Sequence, residues 1–177
     1  LSGCEKNEKT DPVPAQRVVL MYMGGDNNLS SETYEKIGAI QLGWQAKGGD
    51  RLIIYTDPSD DTPKLYELSE EDDKTVQRLM YSYNEENSAS AEVFSRIITE
   101  VKALYAPKSY GLIVFSHASG WLPKQTLLQP QSVIIDNNDE MELRELAAAI
   151  PDGMFDFIVF EAFFMAGVEV ADEPADK

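Results

Sequence analysis

The sequence holds one histidine and one cysteine in 177 residues, and only 15 basic side chains against 31 acidic ones. A lone cysteine excludes an internal disulfide and a zinc–thiolate cluster. The shortage of Lys and Arg leaves a formal net charge of −16. That makes the chain a poor candidate for capture of nucleic acid or anionic lipid by electrostatic attraction, and suits cationic partners, basic substrates or divalent cations. No run of about 18 apolar residues exists, so no helix is long and apolar enough to cross a membrane. There is no G-x-S-x-G elbow, no phosphate loop and no dinucleotide fingerprint. Hydrophobic residues at 43% and charged residues at 26% describe a globular composition, with enough length for one sizeable core or part of a larger one.

What is present begins with four apolar, largely β-branched runs: Arg17 to Met23, Arg51 to Thr56, Gly111 to Phe115 and Phe155 to Phe160. Continuous apolar strands suit a parallel sheet covered on both faces. Between them the pattern reads as helices. One starts at Ser30 or Ser31 and lasts to about Ala46, with Ile37, Ile40, Leu42 and Trp44 on one side and Gly48-Gly49 as its stop. A clearer one spans Ser88 to Ala106, with Val93, Ile97, Val101 and Leu104 at spacings of four and three before Pro107. A third is expected over Met141 to Ile150. Lys64 to Leu68 and Val76 to Tyr81 are shorter strands, a hairpin or an edge pair. Strands alternating with helices predict a doubly wound α/β sheet.

In such sheets, chemistry gathers beyond the carboxyl ends of the strands. The four runs lead into Asp26, Asp57, His117 and Glu161, so the lone histidine sits at a strand end. Asp136-Asn137-Asn138-Asp139-Glu140 has the oxygen donors of a calcium loop, but Met141 stands where such a loop needs Gly. The segment is expected to cap the helix near Met141; weak calcium binding stays open, and no metal ligands are assigned. At the other end, Leu1-Ser2-Gly3-Cys4 resembles a bacterial lipobox, with Cys4 as the lipidated residue. Glu5 to Gln16, polar and charged, reads as a disordered tether. The domain plan is therefore 1–16 as lipobox and tether and 17–177 as one domain. A lipid anchor at Cys4 would place the chain at a bacterial cell envelope, with a secreted form as the other option.

Taken together, Val18 to Leu29 (VVLMYMGGDNNL), Phe115 to Pro123 (FSHASGWLP), Ser132 to Ile150, and Phe155 to Ala171 (FDFIVFEAFFMAGVEVA) resemble the clostripain family of cysteine peptidases. The resemblance implies a caspase-like α/β/α sandwich with a mainly parallel central sheet, of which this chain is the first part, truncated on its C-terminal side. It implies a Cys/His dyad that cleaves after Arg or Lys, with no cofactor beyond calcium in some members. His117 then falls on the catalytic histidine and the amide of Ala118 on the oxyanion hole. Glu161, with Asp26, falls on the acidic pocket for a basic side chain. The nucleophile position falls on Phe163, and phenylalanine has no nucleophilic atom. The expectation is a peptidase fold, inactive as written, or alternatively a non-catalytic pseudopeptidase that binds Arg- or Lys-containing peptides at the bacterial cell surface.

Overall fold

A computed structural model describes residues 11–25, 30–45, 49–72, 74–116 and 132–161. The elements follow in the order β1 (Val13–Gly25), α1 (Ser30–Gly43), β2 (Arg51–Pro58), β3 (Lys64–Glu71), β4 (Lys74–Ser82), α2 (Ala91–Leu104), β5 (Tyr105–Ser116), β6 (Ser132–Asp136), β7 (Asp139–Glu142), α3 (Leu143–Ala149) and β8 (Phe157–Glu161). Among these residues one sheet has six strands in the order β4-β3-β2-β1-β5-β8, and β6 with β7 forms a separate hairpin. β2, β1, β5 and β8 run parallel, while β3 and β4 add an antiparallel edge. The two shorter runs thus form the edge pair.

The central strands are apolar on both faces because both faces are covered. Val18, Leu20, Tyr22, Ile53 and Tyr55 turn toward Phe94, Ile97, Ile98 and Val101 of α2 and Leu146 of α3. Their alternate neighbours Val19, Met21, Leu52 and Ile54 turn toward Ile37 of α1. Period-two alternation distributes the side chains, and the result is an α/β/α sandwich. Tyr22 stacks on Tyr55 with ring centroids 4.6 Å apart, and Phe94 meets Tyr22 edge-on at 4.9 Å.

Four expectations change. On α1, Leu42 is 92% exposed. Ile37, Ile40 and Trp44 follow the three-four spacing of one helix face, and Leu42, five positions after Ile37, falls on the other side. The helix expected to reach Ala106 ends at Leu104, and β5 starts at once. Val13 to Arg17 of β1 supply partners for Tyr105 to Ser109, so a stretch without an obvious strand pattern becomes one. The expected helix start at Met141 is the strand β7, paired with β6 from Asp136–Asp139 to Ser132–Glu142. Asn137, with φ 50°, turns that hairpin, a conformation Asn tolerates. α3 begins two residues later, where the Glu142 amide donates to Glu145 at 2.9 Å, one arm of a capping box. Finally, β8 is shorter than expected and lies at the sheet edge among the described residues, with Val159 46% exposed. Phe155 lies before the strand and packs edge-on against Tyr110 at 6.4 Å.

Candidate active site

The parallel strands end level with one another. Gly24 of β1 pairs with Asp57 of β2 on one side and Ser116 of β5 on the other. The last described pair between β5 and β8 is Phe115 with Glu161. Of the sequence-predicted site residues, Glu161 lies within the described structure. His117, Ala118, Asp26, Phe163 and Cys4 lie outside the described residues. By sequence, His117 and Phe163 each follow that last pair by two positions.

Glu161 forms an ion pair with Lys36 of α1, and the same ammonium lies 4.8 Å from the centre of the Phe115 ring. The Glu161 side chain is 48% exposed and that of Lys36 26%. Both lie at the end of an apolar trough of about 550 Å³, lined also by Ile40, Trp44, Ile113 and Phe157. A half-exposed carboxylate that already holds an ammonium is a group able to accept a basic side chain.

The opposite face of the same edge is closed by the β6–β7 hairpin. The Ser116 hydroxyl donates to the Gly24 carbonyl at 2.7 Å and accepts the Ile135 amide at 3.1 Å. The Asp136 carboxylate accepts both the amide of Ser88 and its hydroxyl, the latter at 3.0 Å. Tyr22 donates its hydroxyl to the Ser88 carbonyl at 2.8 Å. Burial pushes the phenol of Tyr22 well up, and the nearby Asp57, Glu86 and Asp136 push it further. Asp57 is fully buried, and its carboxyl is pushed up to about 8, first by burial and then by the charge of Asp136.

Asp57 and Glu161 therefore share the carboxyl edge but face opposite sides of the sheet, as the members of their two clusters do. Sequence reasoning marked Asp57 only as a strand end and took Asp136 for a helix cap. The signal that would have found their partnership is the pattern of Val133-Ile134-Ile135 and Glu140-Met141-Glu142 around Asp136 to Asp139, a hairpin pattern with turn chemistry at its centre. Among the described residues no group of three or more His, Cys, Asp and Glu side chains is arranged to hold a metal ion. None of their helices is long and apolar enough to cross a membrane.

The chain matches the model of the clostripain family over residues 21–176. Its fold is similar to that of an inactive zymogen C11 protease from Parabacteroides distasonis, with 37% identity and a TM-score of 0.77 over 94% of this chain and 47% of that one. It is also similar to a secreted C11 cysteine protease from Bacteroides thetaiotaomicron solved with an irreversible peptide inhibitor, with 31% identity and a TM-score of 0.76 over 92% and 46% of the two chains. A clostripain from Bacteroides thetaiotaomicron, in complex with the peptide inhibitor BTN-VLTK-AOMK, is 26% identical with a TM-score of 0.57, over 64% of this chain and 100% of that one. The chain spans about half the length of the first two relatives. A search of curated protein sequences finds no match.

Proposed function

The chain belongs to the clostripain family of cysteine peptidases, and from that premise we propose that it carries the histidine half of the peptidase site without the nucleophile. In the family mechanism a thiolate attacks the scissile carbonyl and the histidine protonates the leaving amine. His117 occupies the histidine position and Phe163 the nucleophile position. The observation that carries this reading is the pairing of β5 with β8: Phe115 faces Glu161, and both positions follow two residues on in sequence. A histidine and its nucleophile need to stand close together, and the pairing of the strands that precede them in sequence supports that reading.

A benzyl side chain cannot attack a carbonyl. Cys4 lies in the N-terminal segment, far from the motif in sequence, and is assigned to lipid attachment instead. Loss of the nucleophile costs about a million-fold in kcat in subtilisin, and the same order is expected here. The amide of Ala118 still supplies an oxyanion donor. Glu161, with Asp26, retains the acidic pocket for Arg or Lys. The Lys36 ammonium on Glu161 supports that preference, as does the lysine that ends the VLTK sequence of the inhibitor bound by the relative. The chain then acts as a binder of basic peptides at a bacterial envelope, or in secreted form, as one relative is described.

The test is a fluorogenic peptide with Arg or Lys before the reporter, assayed with the chain as it stands. Turnover at the buffer rate is expected, with saturable binding of the same peptide by fluorescence anisotropy. Turnover that disappears in His117→Ala would overturn the reading. Mass spectrometry of the protein from its native host should show a diacylglyceryl-modified Cys4; an unmodified Cys4 would remove the anchor.

A further inference from the structure

The β6–β7 hairpin is not part of the six-stranded sheet. Side chains hold it at the carboxyl edge, through Ser116 to Ile135 and through Asp136 to Ser88. One group in this contact is unmatched. Asp57 is fully buried, and neither of its carboxylate oxygens has a hydrogen bond of ordinary geometry, although the Ser88 hydroxyl and the Asp136 carboxyl stand close to it. Around it stand Tyr22 from β1, Tyr55 from its own strand, Asp136 from β6, and Glu85 and Glu86 from the segment between β4 and α2. The neutral donors there are engaged elsewhere: Tyr22 with the Ser88 carbonyl, Tyr55 with Glu86, and the Ser88 hydroxyl with Asp136. The neighbouring guanidinium of Arg96 is held by Glu86 and Glu100. Every charged group that acts strongly on Asp57 is acidic.

Two buried carboxylates that face each other do not both ionise readily, because the charged forms repel and neither is solvated. A proton on one turns it into a donor for the other and satisfies an oxygen that is otherwise orphaned. We propose that Asp57 and Asp136 share one proton, and that this proton latches the β6–β7 hairpin to the carboxyl edge of the sheet. The hairpin directly follows residues 117–131 in sequence. The Asp57 carboxyl is pushed up to about 8 against about 4 when exposed, so the latch weakens as pH rises across that interval and contributes nothing above about pH 8. This does not depend on whether the chain hydrolyses or binds peptides.

Hydrogen exchange of the whole chain, followed from about pH 6 to about pH 9.5 with the β1 amides as internal reference, tests it. Exchange of the β6 and β7 amides relative to β1 should rise by up to about tenfold per pH unit as pH approaches about 8, and level off above it. In Asp57→Asn, which is neutral at every pH, the ratio should stay flat. A flat ratio in the wild type, or the same rise in Asp57→Asn, would overturn the latch. Should the variant not fold, the carboxyl carbon shift of Asp57 in the wild type decides. A midpoint near pH 8 supports the shared proton, and a midpoint near pH 4, the ordinary value, refutes it.

Discussion

Gly24 and Gly111 mark two places on the central strands where a side chain would collide. A Cβ on Gly24 would lie 2.6 Å from Cγ2 of Ile134, 3.3 Å from the Ser88 hydroxyl and 3.4 Å from that of Ser116. One on Gly111 would run into the ring of Phe157, which covers that glycine. Either alanine should cost about 1–3 kcal/mol in urea unfolding. Gly24→Ala should in addition raise exchange in β6, since Ile134 belongs to the hairpin, whereas Gly111→Ala should leave β6 protected. At Glu161, removing its partner by Lys36→Ala should tighten binding of a lysine peptide by up to about fivefold, the scale of a partly exposed ion pair. Anisotropy titration measures this, and unchanged or weaker binding would take Glu161 out of the proposed pocket. Phe163→Cys should create a thiol whose alkylation rate falls by roughly tenfold on adding His117→Ala, because a neighbouring histidine favours the thiolate.

At the scale of elements, α2 has the clearest sequence signal, because its apolar residues recur on one face and Phe94, Ile97, Ile98 and Val101 are all buried. Ile97 is fully buried, so Ile97→Ala should cost about 2–5 kcal/mol, read from chemical denaturation. The edge pair β3–β4 was legible as two short strands. What ties it to β2 was not: Glu67, 2% exposed, bridges Arg51 of β2 and Arg78 of β4. Residues 141 and 142 read as helix because Met141, Leu143 and Leu146 suit a helical face, yet pairing with β6 takes Met141 into a strand. Local pattern could not weigh that competition, since the partner strand lies outside the window. The same holds for Tyr105 to Tyr110, whose strand exists because β1 begins as early as Val13.

For the whole molecule, the buried Asp57 sets a pH dependence of stability. In the unfolded chain its carboxyl ionises near pH 4, and in the fold near 8. The folded state thus keeps a proton that the unfolded state has released. The stability this contributes is fully present below about pH 4, declines as pH rises, and is gone above about pH 8. Asp57→Asn lacks that dependence. Urea midpoints measured across the range should show the wild type losing ground to the variant up to about pH 8 and running parallel to it above. Parallel curves throughout would place the Asp57 carboxyl at an ordinary value in the fold.

The sequence alone determined the class of the fold, because continuous apolar strands can be buried only between two helical layers. It also pointed to the family, through the histidine and nucleophile motifs, and to the proposed departure at Phe163, which is a matter of covalent chemistry. Tertiary structure alone decided which strand ends share a face. Residues 57 and 136 are distant in sequence and become neighbours only when the hairpin folds over Gly24, and Glu161 meets Lys36 only because α1 crosses the other face. Burial and the company of other charges are properties of assembled surfaces, and no local pattern of residues encodes them.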